Sequence, residues 1–305
     1  MVLVSDAYQS RVDNEAAIML RRDPVVYSGA NDGAQGLVQH QLRNYQKNGF
    51  IFLKNFFTES EVALFLKEAN RMAADPMIRE REETITESGD QIRSIFMVHR
   101  LNDLFRRLAA DVRLVNIARQ ILGDEVYIHQ SRVNLKPGFV GKEFYWHSDF
   151  EAWHVEDGMP RMRALSCAIF LTEHNEFNGP LMFIRGSHMH YISCVGETTA
   201  DHYRHSLKKQ EYGVPDPASL RFLVDRGGIQ APKGPAGSVV LFDCNTMHGS
   251  NSNISPYPRS DLLFVYNSVQ NALGKPRFGL APRPEHVATR EELSPVVPLE
   301  PDYSG

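Results

Sequence analysis

Ala164-Leu165-Ser166-Cys167-Ala168-Ile169-Phe170-Leu171 is the longest of several short apolar runs that follow residue 125. The other runs cover residues 126–130, 181–184, 238–242 and 262–266. Glycine, proline, asparagine or aspartate residues separate them, so each run predicts one β-strand. Many short strands of this kind indicate a sandwich or barrel, and we expect a mainly-β jelly roll.

Two helical patterns lie before these strands. Thr58-Glu59-Ser60-Glu61 matches a capping box, and the apolar residues after it predict a helix that runs towards Pro76. Residues 101–122 show a second amphipathic pattern that stops at Gly123, which predicts a single helix with a glycine C-cap. We expect these helices to lie against one face of the sheet.

The bulk composition is that of a soluble globular protein. Of the 305 residues, 42% are hydrophobic and 23% are charged, and the formal net charge is -4 without a long run of one sign. This balance does not suggest a nucleic-acid partner. No stretch is apolar for long enough to span a bilayer, and the first residues lack the pattern of a signal peptide.

The cysteine spacing and the lack of internal divisions suggest how the chain is organised. Cys167, Cys194 and Cys244 have neither paired nor C-x-x-C spacing, which argues against a disulfide framework and fits a reducing cytoplasm. No repeat, low-complexity segment or linker divides the sequence. We therefore expect residues 1–305 to form one domain, with residues 1–45 as an N-terminal extension packed on it.

A candidate metal site begins at His147-Ser148-Asp149. Side chains two residues apart on an extended strand point to the same face, so His147 and Asp149 could bind one ion. His248 lies downstream, just past an apolar run. Two imidazoles and one carboxylate without a thiolate suit Fe(II) better than structural zinc, and this facial triad leaves open positions. A chance H-x-D pair, with a hydrogen-bonded histidine and a capping aspartate, is the alternative.

Arg259 follows the second histidine at a spacing expected for a strand, a turn and a returning strand. An arginine can hold a carboxylate through two parallel hydrogen bonds. Arg259 could therefore bind the far carboxylate of 2-oxoglutarate while the keto-acid end chelates the iron, and Ser250 on the same side could assist. A surface arginine without such a role is the alternative.

Two longer stretches carry a family resemblance. Residues 144–163 read FYWHSDFEAWHVEDGMPRMR, and residues 178–188 read NGPLMFIRGSH. Both resemble the phytanoyl-CoA dioxygenase superfamily of Fe(II)/2-oxoglutarate-dependent enzymes, and the first resembles its ectoine-hydroxylating members in particular. One departure is Ala152, where we expect most relatives to carry threonine. The resemblance extends across nearly the whole chain and implies a double-stranded β-helix, the cupin-like jelly-roll core, with flanking helices.

The resemblance implies a role for each candidate residue and an activity for the whole chain. The iron ligands would be His147, Asp149 and His248; 2-oxoglutarate would meet Asn134, Lys136, Ser250 and Arg259; the substrate would meet Gln130, Phe144 and Trp153. The implied reaction is hydroxylation of ectoine to 5-hydroxyectoine, an osmotic protectant, with O2 as a further cosubstrate. The resemblance also implies a homodimer.

The chemistry of the substrate agrees with these roles. Ectoine is a small zwitterion with a cyclic amidinium cation and a carboxylate. An aromatic face such as that of Trp153 or Phe144 stabilises a delocalised cation by roughly 0.5–2 kcal/mol, and the Gln130 amide can receive ring N–H groups or donate to the carboxylate. Without the resemblance, the two aromatics would be assigned to the core and Lys136 to an exposed turn.

Neighbouring polar residues have simpler expected roles. His154 is expected to form hydrogen bonds beside the site, and His188 to be a structural turn residue. Glu156 and Asp157 are predicted to lie in a loop that closes over the site.

Three other functions compete with ectoine hydroxylation. A related dioxygenase could hydroxylate another small zwitterionic or amino-acid-like substrate. A metal-dependent hydrolase or isomerase on a similar barrel would leave Arg259 without a role. A non-catalytic binding barrel would have no need for a redox-suited metal triad.

Overall fold

The computed structural model describes residues 6–27, 36–86, 91–196, 198–199, 203 and 212–303. In chain order its strands are β1 (Ala17–Leu20), β2 (Phe50–Leu53), β3 (Thr84–Thr86), β4 (Ile92–Phe96), β5 (Val126–Lys136), β6 (Phe144–His147), β7 (Ala164–Phe170), β8 (Leu181–Ile184), β9 (His190–Ser193), β10 (Ile229–Gln230), β11 (Val239–Asp243), β12 (His248–Ser250) and β13 (Arg259–Ser268). All five predicted strands are confirmed by β5, β7, β8, β11 and β13.

Two antiparallel sheets pack face to face. The larger has the strand order β2-β11-β7-β13-β5-β4-β3, and the smaller has the order β10-β8-β12-β6. Phe183 of the smaller sheet stacks on Phe50 and contacts Phe242 of the larger sheet, with ring centroids 4.7 and 5.1 Å apart. A separate ribbon pairs β1 with β9. This arrangement confirms the predicted double-stranded β-helix.

The larger sheet is buried on both faces, which explains its nearly continuous apolar runs. In β11, Val240 and Phe242 face the smaller sheet, whereas Val239 and Leu241 join the cluster under the helices. The neighbouring strand β7 is buried at every position. Because side chains alternate between the two faces of a strand, each of these runs contributes to two cores.

Helices cover the outer face of the larger sheet and the ends of the fold. They are α1 (Gln39–Asn48), α2 (Glu59–Ala74), α3 (Pro76–Arg79), α4 (Val98–Leu101), α5 (Asp103–Ala109), α6 (Val112–Leu122), α7 (Asp149–Asp157) and α8 (Pro217–Gly227). Apolar residues of α2, α5 and α6 pack with those of β7, β11 and β13 in one cluster. The predicted capping box is present, since Thr58 accepts from the Glu61 amide and Glu61 accepts from the Thr58 amide. No helix among the described residues is both long and apolar enough to cross a membrane.

The prediction of one continuous helix over residues 101–122 is wrong. The chain forms α4, α5 and α6 there, with breaks at Asn102 and at residues 110–111. The Asn102 side chain accepts a hydrogen bond from the Phe105 amide, and Asp111 accepts from the Arg113 amide. Short polar side chains that cap the next helix in this way compete with continuation of the previous one. The predicted end at Gly123 is confirmed, with φ at 59°.

Segments near both ends of the chain pack on this framework. Tyr8 is buried, and β1 pairs along its whole length with β9. Arg21 forms a buried ion pair with Asp243, at 2.7 Å between Nη1 and Oδ1. Near the C-terminus, Leu299 exchanges backbone hydrogen bonds with Ala110 and Val112.

Gly158 ends α7 in the left-handed region, with φ at 72°. A β-carbon at this position would lie 2.4 Å from the carbonyl oxygen of Lys275. We expect Gly158→Ala to lower the free energy of unfolding by more than the roughly 1–2 kcal/mol that left-handed geometry alone costs a non-glycine residue. Chemical denaturation measures this loss.

Gly279 provides the matched control, because its φ is 68° and a β-carbon there would meet nothing within 4 Å. Gly279→Ala should show the conformational cost without the clash. Equal losses in the two variants would contradict the close approach of Lys275 to the end of α7.

Candidate functional site

Two histidines of the smaller sheet face each other across one strand pair. His147 ends β6 and His248 begins β12, and the two residues are register partners. Their ring centroids are 4.2 Å apart. The Asp149 Oδ1 atom lies 3.5 Å from His147 Nε2 and 3.8 Å from His248 Nε2. One ligand atom from each residue therefore falls within 4.8 Å of the others, which is close enough for one metal ion.

Backbone carbonyl groups orient both imidazole rings. His147 Nδ1 lies 2.8 Å from the Tyr145 oxygen, and His248 Nδ1 lies 2.9 Å from the Thr246 oxygen. A carbonyl oxygen only accepts, so each Nδ1 must carry the proton. Each Nε2 then presents its lone pair to the space that it shares with the Asp149 carboxylate. This is the tautomer that a metal ligand requires.

Asp149 is not on the strand where the sequence analysis placed it. β6 ends at His147, Ser148 is the extended N-cap, and Asp149 is the first residue of α7. The Phe150 amide donates to the Cys244 oxygen at 2.8 Å, and the Ser148 hydroxyl donates to Asn245 at 3.0 Å. These bonds join the start of α7 to the loop before His248. The two ligand groups of H-x-D converge because the chain turns between them.

The charges of the triad suit a cation. Burial alone would raise the pKa of Asp149, but His248 and His147 hold it well below its usual range. Burial, followed by the neighbouring His147, lowers the pKa of His248 to about 4. At neutral pH the site therefore offers one carboxylate and a neutral His248. Two nitrogen donors and one oxygen donor without sulfur fit Fe(II) and leave coordination positions open.

A second group of charged residues lies on the larger sheet, opposite the triad. Arg259 at the start of β13 is the register partner of Lys136 at the end of β5. The Lys136 Nζ atom donates to Ser250 Oγ at 2.8 Å and to the Asn251 oxygen at 2.6 Å. Burial, with smaller contributions from Arg259 and Arg93, lowers the pKa of Lys136 to about 6.

The Asp261 carboxylate holds the Arg259 guanidinium group in place. Arg259 Nη1 lies 2.9 Å from Asp261 Oδ2, and Asp261 Oδ1 lies 2.7 Å from His174 Nε2. The buried Arg259 Nε has no hydrogen-bond partner among the described residues. A buried donor without a partner is costly, so this atom indicates that an acceptor from outside the chain binds here.

One cavity joins the two groups. His147, His248, Lys136, Ser250, Arg259 and Asn134 all line it. Asn134 accepts a hydrogen bond from Ser94 Oγ at 2.7 Å. Every predicted 2-oxoglutarate residue therefore borders the space in front of the two histidines.

Arg132, which was not among the residues predicted from the sequence, lines the same cavity. Its buried Nε has no hydrogen-bond partner among the described residues. Gln130, Arg132, Asn134 and Lys136 alternate along β5, and a period of two places them on one face. This alternation could have identified Arg132, because its neighbours on both sides of the pattern were already candidates.

The predicted substrate residues fall into two places. Phe144 lines the cavity and meets His147 edge to face, with ring centroids 4.9 Å apart. Gln130 and Trp153 are not among the described residues that line it. Gln130 donates to the Val287 oxygen at 2.7 Å, and Trp153 contacts His129 at 4.9 Å between ring centroids. Trp153 lies four residues after Asp149 on α7, so both residues share one face of that helix.

The neighbouring histidines act as predicted. His154 bonds through Nδ1 to the Met159 oxygen at 2.7 Å and through Nε2 to Asp6 at 2.9 Å. His188 is buried in a 3₁₀ helix (Ser187–Met189) and bonds to the Gln46 oxygen at 3.0 Å.

The prediction of a closing loop at Glu156 and Asp157 is wrong. Both residues lie in the last turn of α7 and are buried. Arg283 pairs with both carboxylates. More than a hundred residues separate these partners in the chain, so the acidic pair alone gave no sign of its burial.

Comparisons with known proteins agree with this geometry. The family model for phytanoyl-CoA dioxygenase (PhyH) matches residues 45–260. The ectoine dioxygenase of Bordetella bronchiseptica is 61% identical over 296 residues, which are 97% of this chain and 96% of that protein. A crystal structure of EctD from S. alaskensis with 2-oxoglutarate and 5-hydroxyectoine is 47% identical, has a TM-score of 0.88, and the match covers 98% of this chain and 99% of that one. The EctD structure with bound Fe is 46% identical with a TM-score of 0.87 and the same coverage.

The triad can be tested by metal binding. His248→Ala removes one of three ligands, so we expect affinity for Fe(II) under anaerobic conditions to fall by at least tenfold, measured by titration calorimetry. His188→Ala is the matched control, because it removes a buried histidine whose partner is a backbone carbonyl. It should lose stability and keep the metal. Unchanged Fe(II) affinity in the His248 variant would contradict the ligand assignment.

Proposed function

The chain belongs to the phytanoyl-CoA dioxygenase family, and we propose that it hydroxylates ectoine to 5-hydroxyectoine with Fe(II), 2-oxoglutarate and O2. One observation carries the reaction class: a His-Asp-His triad and a buried arginine and lysine line or border one cavity. The substrate rests on the nearly full-length similarity to an ectoine dioxygenase.

The cosubstrate fits the polar side of the cavity. 2-Oxoglutarate carries two carboxylates, and its distal one would accept hydrogen bonds from Arg259, Lys136 and Ser250. Arg259 offers a planar pair of donors, which matches a carboxylate in two parallel bonds. Asn134 borders the same space and can donate through its amide. The keto-acid end would then reach the open positions beside His147 and His248.

The substrate would enter from the side of Phe144 and α7. An aromatic face stabilises a delocalised amidinium by roughly 0.5–2 kcal/mol, and Phe144 and Trp153 are the two predicted aromatics. Gln130 lies on the interior face of β5, two residues before Arg132. We infer that the Gln130 amide exchanges its bond to the Val287 oxygen for one to the substrate.

The protein's own contribution is positioning and exclusion of water. Bound Fe(II) and 2-oxoglutarate supply the oxidation: O2 gives one atom to succinate, formed with release of CO2, and one atom to the new hydroxyl group. The backbone carbonyls at Tyr145 and Thr246 fix the ligand tautomers. The anion clamp, formed by Lys136 and Arg259, would orient the cosubstrate. The aromatic residues would hold one C–H bond of the substrate near the metal.

The cellular setting is part of the same proposal. The buried free thiols Cys167, Cys194 and Cys244 fit a reducing cytoplasm. The product would serve as an osmotic protectant. We also propose that the chain forms a homodimer and acts on a small molecule without a membrane partner. The net charge of -4 supports the further expectation that it has no nucleic-acid partner.

The activity is tested by mass spectrometry. Incubation of the chain with Fe(II), 2-oxoglutarate, O2 and ectoine should add one oxygen atom to ectoine and release succinate in equal amount. Omission of 2-oxoglutarate should abolish the product. A panel of other zwitterionic compounds tests whether the chain is instead a related dioxygenase with another substrate. Succinate release that depends on one of these compounds, with none in the presence of ectoine, would contradict the proposed substrate.

The clamp predicts a pH dependence of 2-oxoglutarate binding. In the free site the pKa of Lys136 is lowered to about 6, so above this pH the amine is neutral. A bound carboxylate favours the ammonium form and raises this pKa, so binding takes up a proton. The dissociation constant should therefore increase as the pH rises above about 6, by up to about tenfold per pH unit.

Calorimetry in buffers of different ionisation enthalpy measures this proton uptake directly. Lys136→Met should bind 2-oxoglutarate weakly and without the uptake. Lys142→Met is the matched control, because Lys142 lines the same cavity but is exposed. Proton uptake that persists in the Lys136 variant would contradict the assignment.

A further inference from the structure

The helix that carries Asp149 is acidic and nevertheless buried. Within nine residues α7 holds Asp149, Glu151, Glu156 and Asp157, and its last turn offers His154 as the one basic residue. The exposed fractions of Glu151, Glu156 and Asp157 are 1%, 2% and 0%. Buried carboxylates are stable only when they are paired and hydrogen-bonded, so α7 depends on cations from other parts of the chain.

These cations come from segments near the two ends of the chain. Arg283 pairs with Glu156 at 3.0 Å and also with Asp157. Arg290 donates to the Asp157 backbone oxygen at 2.7 Å. From the N-terminal side, Arg11 reaches both ends of the helix.

Arg11 engages α7 through all three nitrogen atoms of its guanidinium group. Its Nε and Nη2 donate to the two oxygens of Glu151 at 3.0 and 2.7 Å, and its Nη1 donates to Glu156 at 2.9 Å. The guanidinium side chain is 1% exposed. Ser10 Oγ adds a bond to Glu151 at 2.6 Å. Arg11 therefore connects two turns of α7, over about 7.5 Å of helix axis.

The backbone at Arg11 is also unusual. Its φ is 60°, in the left-handed region that a non-glycine residue rarely adopts. The Arg11 amide donates to the Cys194 oxygen at 2.9 Å, which fixes this conformation against the end of β9. A strained backbone that is held in place and carries a fully buried bidentate side chain indicates a constrained function.

The geometry connects this residue to the metal site. Asp149 and Glu151 are two residues apart on a helix, so their side chains point to different sides. Through Glu151, Arg11 therefore holds a side of α7 other than the one that carries Asp149. On the metal side, Asp149 accepts a hydrogen bond from Ser166 Oγ at 3.3 Å and lies 3.5 and 3.8 Å from the Nε2 atoms of His147 and His248.

We propose that Arg11 is a positioning residue for the metal: through Glu151 and Glu156 it locks α7 so that the Asp149 carboxylate meets the Nε2 atoms of His147 and His248. The proposal rests on the proposed function, because it takes Asp149 to be an iron ligand. Partners that orient a ligand typically account for ten- to a hundredfold in metal affinity. We expect a loss of this size without Arg11.

The experiment compares three single variants with the parent chain. Arg11→Gln and Glu151→Gln break the same contact from its two sides and should each bind Fe(II) about ten- to a hundredfold more weakly in anaerobic calorimetry. Arg113→Gln is the matched control. Arg113 also bridges two carboxylates, those of Glu61 and Asp111, but it belongs to α6 in the helical layer. It should lose thermal stability and keep its Fe(II) affinity.

Two further measurements separate positioning from general destabilisation. The double variant Arg11→Gln/Glu151→Gln should lose little more Fe(II) affinity than either single variant, because both act through one contact. The visible spectrum of bound Co(II), which reports ligand geometry, should change in the Arg11 variants and stay unchanged in the Arg113 variant. Arg11→Lys retains the charge without the bidentate geometry, and we expect it to lose less affinity than Arg11→Gln.

The possible results distinguish the two proposals. Fe(II) affinity within threefold of the parent in Arg11→Gln, or an equal loss in Arg113→Gln, would overturn the positioning role and leave the proposed function intact. If Arg11→Gln does not fold, Glu151→Gln and Arg11→Lys provide the same comparison. A parent chain that fails to bind Fe(II) would overturn the proposed function and the positioning role together.

Discussion

The pairing of β12 with β6 is the contact on which the site depends. It places His248 opposite His147, and the carbonyls of the same backbone segments fix the tautomer of each ring. The smaller sheet keeps this position because Phe183 packs against Phe50 and Phe242 of the larger sheet. The apolar core between the sheets therefore sets the distance between the histidines and the anion clamp on β5 and β13.

The cavity between the sheets is strongly cationic, and this determines what it can bind. Arg132, Lys136 and Arg259 line it together with Arg93 and Lys142, whereas Asp261 is engaged by Arg259 and His174. Burial lowers the pKa of Arg259 and of Lys136, so each loses stability as a cation when no anion is present. A dicarboxylate relieves this cost. A neutral or cationic cosubstrate would increase it, which disfavours a hydrolase that works without an organic anion.

The strands and the site residues of this fold could be predicted from sequence to different extents. Apolar runs such as residues 164–171 are local signals, and the strands followed them closely. His147, Asp149 and His248 were recognisable as a set because few residue types bind iron. The continuous helix over 101–122 failed because Asn102 and Asp111 each cap a new helix, and such capping competes with an otherwise regular apolar pattern. The division into one domain with an extension at residues 1–45 stays a prediction.

The burial of α7 could not be predicted from the sequence, for a different physical reason. Its acidic residues, judged from their sequence neighbours alone, indicate a solvated loop. Their ion-pair partners Arg11 and Arg283 lie more than a hundred residues away in the chain. The two histidines are held in place by the ladder of backbone hydrogen bonds between the paired strands β6 and β12, which even short strands form. Asp149 has no such ladder, since it stands at the start of a helix. The ligand with the least support from its own backbone is therefore the one whose helix is secured by ion pairs from segments near both ends of the chain.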